Sequence, residues 1–226
     1  MNKAIIFDSS TLINFTLNGL LPELVELKKN FNGKFLVTKE VIAEVVDTPM
    51  KIKRFKLEAL KLKRLIDDKV LESPSALGVS DGEVSSRTKE ISNIANNTFF
   101  GRGNAIQIIH SGEMSCLALS DLLDQKKIKN VLSVDERTTR MLSERPENMY
   151  HLLQKKLHTK ITFRRENFEY FKKFRFIRST ELIYIAYKKG LVRLKNHDVL
   201  DALLWAFKMH GCSISDEEIK EIERMK

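Results

Sequence analysis

The sequence predicts an α/β fold: an α/β/α sandwich with a mainly parallel central sheet of about five strands, plus extra helical segments. Three observations lead there. Two short apolar runs, Ala4-Ile5-Ile6-Phe7 and Val131-Leu132-Ser133-Val134, each stop on an aspartate, Asp8 and Asp135. Runs of that length bounded by polar residues read as buried parallel strands. Such strands alternate with segments of helical periodicity, the pattern of a parallel sheet covered by helices. The composition, 42% apolar and 31% charged over 226 residues, is that of a globular chain able to bury a core, so the whole length is taken as one domain with elaborations at about 73–110 and 144–173.

In order along the chain, the first strand ends at Asp8, and Ser9-Ser10-Thr11 caps a helix carrying Leu12, Ile13 and Leu17. A second strand covers 34–37, and Thr38 caps a helix with Val41, Ile42, Val45 and Val46. Pro49 opens a long helix to about residue 68, followed by a short third strand at Val70-Leu71. Glycines and Pro74 loosen the pattern over 73–110, where a short helix near 83–94 and a mobile segment around 99–104 are expected. Ser111 caps the next helix, which leads to the fourth strand and Asp135. A helix over 136–142 precedes an amphipathic, basic, Phe-rich stretch at 146–173 and a fifth strand at 174–177. Helices over 179–189 and 198–210 stop at Gly190 and Gly211, and a capping box of Ser215 and Glu218 starts the last one.

In an open α/β sheet the ligand crevice lies beyond the carboxyl ends of the strands. Two aspartates held there repel unless a cation joins them, and hard oxygen donors select a hard ion, Mg²⁺ or Mn²⁺. Glu44 borders the apolar arc of its helix, whereas Glu40 lies nearly opposite and is expected in solvent. Glu113 falls in a first helical turn, where the helix dipole favours an anion. Each acid has a plain structural role available to it, Asp8 and Asp135 as helix caps among them.

Taken together, Asp8-Ser9-Ser10-x-Leu12-Ile13, Val37-Thr38-x-x-Val41-x-x-Glu44, Ser111-Gly112-Glu113-x-x-x-Leu117-Ala118 and Ser133-Val134-Asp135-Glu136-Arg137 resemble the four acidic motifs of PIN-domain ribonucleases. The resemblance runs over about 4–142, and from Ser179-Thr180 to Lys226 the chain is similar to the tail of some prokaryotic PIN proteins. It implies that Asp8, Glu44, Glu113 and Asp135 are the catalytic, metal-binding residues, holding Mg²⁺ or Mn²⁺ for hydrolysis of RNA phosphodiester bonds. Ser10 corresponds to the small polar residue that orients the first aspartate, and Glu136 to an auxiliary carboxylate. The two elaborations depart from compact members. A toxin-type or an RNA-processing nuclease is implied, with an antitoxin or RNA-processing protein as candidate partner and a homodimer as a further candidate.

A net charge of +9 favours a polyanionic partner, nucleic acid first and an anionic membrane surface second; with the resemblance, RNA is the partner implied. One basic cluster contains Lys51, Lys53 and Arg54, and a second Lys155, Lys156, Arg164 and Arg165; Arg102 sits in a Gly-x-Gly loop. These cations are expected to meet phosphates, whereas Phe163, Phe168, Phe171 and Phe174 are expected mainly in the core. Cys116 and Cys212 read as reduced core thiols of a cytoplasmic protein, and none of the five histidines shows paired metal-ligand spacing. Four apolar residues before Asp8 are too few for a signal peptide, and no run approaches the ~18 a membrane span needs. Two other readings compete. Phe7-Asp8-Ser9-Ser10-Thr11 is similar to the first motif of haloacid-dehalogenase-like phosphatases, but Ser10 stands where that motif needs a second carboxylate. A non-catalytic RNA-binding or scaffolding protein is the alternative from outside the enzymes.

Overall fold

The apolar run before Asp8 forms β1 (Lys3–Phe7), in which Ala4, Ile5, Ile6 and Phe7 are all buried. Consecutive strand residues point to opposite faces, so both faces of β1 are covered. The computed structural model describes residues 3–225; Met1, Asn2 and Lys226, the last residue of the expected C-terminal helix, lie outside them. β1 is flanked by β2 (Lys34–Leu36) and β5 (Lys129–Ser133), and β5 by β7 (Phe176–Ile177), in a four-stranded sheet of order β2-β1-β5-β7. Every pairing in it is parallel, with Ile5 opposite Phe35 and Val131, and Leu132 opposite Phe176. The expected strand at Val70-Leu71 shrinks to a single bridge: Glu72 pairs with Leu36 at the sheet edge. Its backbone exchanges bonds of 2.8 and 3.0 Å with Phe35 and Val37, and Lys34 binds its carboxylate.

From β1 the chain first builds outward on one side, to β2, and later returns to build on the other, to β5 and β7. The seam between β1 and β5 is therefore the switch point of the sheet, where an open α/β sheet leaves its crevice. Asp8 and Asp135 stand just past the carboxyl ends of these two strands.

The helices are α1 (Ser9–Leu17), α2 (Leu21–Asn30), α3 (Lys39–Ile42), α4 (Lys56–Asp67), α5 (Asp81–Asn96), α6 (Ser111–Gln125), α7 (Arg137–Glu144), α8 (Pro146–Leu157), α9 (Glu166–Phe171), α10 (Ser179–Lys188), α11 (Val199–Met209) and α12 (Asp216–Arg224). The Ser215–Glu218 capping box is present. Three local expectations change. Asp8, not the serines after it, caps α1. The helix opened by Thr38 widens into a π turn over Ala43–Asp47. The long helix from Pro49 is broken: Pro49–Lys51 is a 3-10 turn, Ile52 is extended, and α4 starts only at Lys56. Lys51 and Arg54 share the i, i+3 spacing at which like charges oppose a helix.

The largest departure concerns the elaborations. The segment expected to be mobile is a hairpin of β3 (Phe99–Gly101) and β4 (Asn104–Ala105), turned by Arg102 and Gly103, both at positive φ. β6 (Ile161–Phe163), from the second elaboration, pairs with β3 to complete an antiparallel sheet of order β4-β3-β6. Two stretches some sixty residues apart thus make one structure. Its inner side buries Phe99, Ile161 and Phe168. Asp121 on α6 moors it, gathering Arg87 from α5, Lys173 and the Tyr170 hydroxyl. Among the described residues no helix is long and apolar enough to cross a membrane.

Candidate metal centre

Asp8 is buried to 1% exposure at the start of α1. Its Oδ2 accepts from the Ser10 backbone N–H at 3.0 Å and from the Ser10 hydroxyl at 2.5 Å. The same Ser10 oxygen accepts from the Asp135 backbone N–H at 3.1 Å, so one hydroxyl ties the ends of β1 and β5 together. Oδ1 of Asp8 is buried with no hydrogen-bond partner. Burial raises the Asp8 pKa to about 6, against the Ser10 hydrogen bonds that lower it, and the nearby Glu44 carboxylate raises it further.

Glu113 is built the same way. Its Oε2 accepts from the His110 N–H at 3.0 Å, so the cap of α6 is this reciprocal contact at His110 rather than the expected Ser111. Its Oε1 is buried and makes no hydrogen bond, although the Thr139 side chain beside the carboxylate helps to lower its pKa. Burial, then the charge of Asp8, raise its pKa to about 7, with Glu136 adding to the rise. Cys116, one turn further along α6, is held well above its ordinary value by burial and by Asp8, Glu113 and Glu44 together. Its thiol has no reactive character at neutral pH.

Glu44 reaches this group from the π turn. Thr38 and Ser115 join hydroxyls at 2.7 Å, which fixes the start of α3 against the start of α6. The Glu44 carboxylate then lies over Gly112: a Cβ there would sit 2.6 Å from Oε2 and 2.7 Å from Oε1. A glycine inside a helical turn costs roughly 0.5–1 kcal/mol relative to alanine, and here it makes room for a carboxylate at a helix N-terminus, where the dipole favours an anion. Beyond Glu44 an apolar cavity of about 340 Å³ opens between α1 and α4, lined by Ile13, Leu17, Phe55 and Leu62. Glu40, expected in solvent, is only 20% exposed at its side chain, and its Oε2 is buried without a hydrogen-bond partner. It lies on the four-residue α3, which the wider π turn then departs from, so a regular helical projection misplaces it.

Asp135 differs from the other three. It is 1% exposed, but both its oxygens are used: Oδ2 accepts from Asn14 Nδ2 at 2.6 Å, and Oδ1 from the Ser179 N–H at 2.7 Å. It therefore caps α10, a helix 44 residues later, while Glu136 caps α7 through Thr138. Sequence reading missed Asn14, Ser179 and Gly112. Asn14 carries a faint signal, being a buried polar residue on the core side of α1, and its Oδ1 has no partner.

The structure thus brings Asp8, Glu44 and Glu113 together, with Glu136 beside Glu113 and Ser10 linking Asp8 to Asp135. No group of three or more His, Cys, Asp or Glu side chains among the described residues stands close enough to form a ready coordination shell. The donors nevertheless fit a hard divalent cation: they are carboxylate oxygens, two of them buried without a hydrogen bond, and negative neighbours raise both groups, Glu44 acting on Asp8 and Asp8 on Glu113.

The expected RNA contacts fall in two places. Lys51, Lys53 and Arg54 are exposed on the connector into α4, beside the apolar cavity. Arg102, Arg164 and Arg165 belong to the second sheet and its margins, and Lys155 and Lys156 end the helix leading into it; all are exposed. Phe168, Phe171 and Phe174 are core residues as expected, but Phe163 is 40% exposed. No protein-family model, curated protein or solved structure matches the chain.

Proposed function

We propose that the chain is a metal-dependent endoribonuclease of PIN-like fold, acting at the crevice between β1 and β5. The observation that carries the reading is the pair of buried, unpartnered oxygens, Asp8 Oδ1 and Glu113 Oε1, at the sheet's switch point with Glu44 beside them. Desolvated carboxylates facing one another are costly unless a cation is meant to join them. In this reading Asp8, Glu44 and Glu113 hold Mg²⁺ or Mn²⁺, with Asp135 at the margin. Such an ion, when bound, supplies Lewis-acid activation of water for attack on a phosphodiester. Ser10 fixes the rotamer of Asp8 through Oδ2 and leaves Oδ1 free for the ion. Gly112 seats Glu44 at the N-terminus of α6. The basic charge of the chain would draw in the RNA, and a toxin-type or processing role both accord with the reading.

The competing reading is an RNA-binding protein without turnover, favoured by the full pairing of Asp135. Cleavage of RNA by wild type and Asp8→Asn in Mn²⁺, Mg²⁺ or EDTA, alongside calorimetric metal titration, separates the two. We expect cleavage by wild type with metal only, and a loss of roughly 100-fold or more in Asp8→Asn, at or beyond the range for second-shell changes. Metal-dependent cleavage retained by folded Asp8→Asn would overturn the site. Absence of both metal binding and cleavage in wild type would favour the binding protein.

A further inference from the structure

We infer that the outer face of the second sheet is a stacking platform for unpaired RNA bases, so that the substrate class is single-stranded RNA. The inference rests on the RNA reading above but not on turnover. In the β3–β6 ladder Phe99 lies opposite Phe163 and Phe100 opposite Thr162, so Phe100, Thr162 and Arg164 share the side facing away from the buried Phe99 and Ile161. On that side the Arg164 guanidinium stands over the Phe100 ring at 5.2 Å. The two groups floor an open recess of about 350 Å³ bounded by Gly103, Thr162 and Phe163, whose own ring packs on Phe168 on the inner side. Phe100 is half-buried beneath the exposed Arg164. Aromatic and guanidinium planes that border an open recess are what unstacked bases bind, whereas a duplex, whose bases are already stacked, cannot use them.

Charge points to the same occupant. Residues 151–175 hold eight Lys or Arg against two Glu. Two of these cations are spent internally, Lys172 on Glu169 and Lys173 on Asp121. Among the described residues, Lys155, Lys156, Lys160, Arg164 and Arg165 have no ion-pair partner. At the hairpin tip Arg102 holds φ of 51°, a left-handed conformation that costs an ordinary residue about 1–2 kcal/mol. Its Nε donates to Thr159 at 3.4 Å, turning the guanidinium toward the loop that leads into β6. The platform is also near the acids. Five residue steps lead from Ala105, the end of β4, to His110, whose N–H meets Glu113, a path of at most ~18 Å. A strand of the roughly 4–16 nucleotides typical of single-strand grooves spans both.

The test is fluorescence anisotropy in EDTA, where no cleavage occurs, with a labelled single-stranded oligoribonucleotide and a duplex of equal length. Wild type, Phe100→Ala, Phe100→Trp and Arg164→Ala are compared, with thermal melts to show that each is folded. We expect preference for the single strand, about 5- to 100-fold weaker binding in Phe100→Ala, and rescue by Phe100→Trp. Arg164→Ala should lower the salt slope by about 0.7. Equal affinity for duplex, or unchanged binding in Phe100→Ala, overturns the platform. Cleavage is assayed separately: Phe100-dependent binding without cleavage keeps the platform and sinks the nuclease, and cleavage with Phe100-independent binding does the reverse.

Discussion

Asp8 and Asp135 look alike in sequence, each closing an apolar strand, and they flank the same seam. Their environments are opposite. Asp8 keeps one buried oxygen with no partner and a pKa raised to about 6. Asp135 has both oxygens bonded, to Asn14 and to the start of α10. A buried carboxylate whose acceptors are filled is part of the scaffold, and one whose acceptor is left empty costs stability that a proton or a bound cation returns. The two halves of the crevice therefore differ: the β1–α6 half carries the buried carboxylate oxygens without hydrogen bonds, the half proposed above to hold a cation, and in the β5–α10 half Asp135 is bonded into the frame.

The sharpest way to break this division is to compare the two aspartates by thermal unfolding at pH 8 without metal. Asp135→Ala strands the Asn14 amide and the Ser179 N–H inside the protein. At ~1–3 kcal/mol for each of the two orphaned groups, with about 2–4 °C per kcal/mol for a chain of this size, we expect Tm to fall by roughly 4–24 °C. Asp8→Asn keeps an acceptor for Ser10 and removes a desolvated charge, so its Tm should stay level or rise. Equal losses in both would erase the distinction.

A second measurement sharpens it through pH. Asp8 goes from an ordinary 3.8 to about 6 on folding, and Glu113 from 4.5 to about 7. Between those limits the folded state holds more protons than the unfolded one, so metal-free stability must fall as pH rises from about 4 to 7. These rises correspond to at most roughly 3 kcal/mol per group. Denaturant midpoints measured from pH 4 to 8 should show the decline in EDTA, a smaller decline in Asp8→Asn, and little decline in saturating Mn²⁺. A metal-free protein equally stable at pH 5 and 8 would mean the carboxylates are not buried as described.

How much of this could be read in the sequence follows from how local each cause is. The parallel strands and the caps at Thr38 and Ser215 rest on short patterns, and the apolar run ending at Asp8 sufficed to place that residue. The caps of α1 and α6 instead fell one residue before the serines expected to make them. The Ser215–Glu218 box is likewise written within four residues. Three features were invisible, two of them because they depend on distant partners. Pairing of β3 with β6 joins segments about sixty residues apart, neither of them strongly strand-like alone. The role of Asp135 is set by Ser179, 44 residues away. The π turn at Ala43–Asp47 changes which side of the helix Glu40 and Glu44 occupy, and no residue type announces it.

Gly112 offers the finest test of the division, because it separates seating a carboxylate from holding the fold. An alanine methyl would meet the two Glu44 oxygens at 2.6 and 2.7 Å, closer than any stable contact. What it meets is the end of a flexible side chain, which can turn away, while alanine also favours the helix by roughly 0.5–1 kcal/mol. Gly112→Ala should therefore leave Tm within about 2 °C of wild type. Its effect should appear in Mn²⁺ affinity, lowered about 10-fold as a donor is moved out of place, and in cleavage by a similar factor. Unchanged metal affinity would remove Glu44 from the centre and leave Asp8 and Glu113 alone there. A large fall in Tm would mean instead that the Glu44 carboxylate belongs to the scaffold, as Asp135 does.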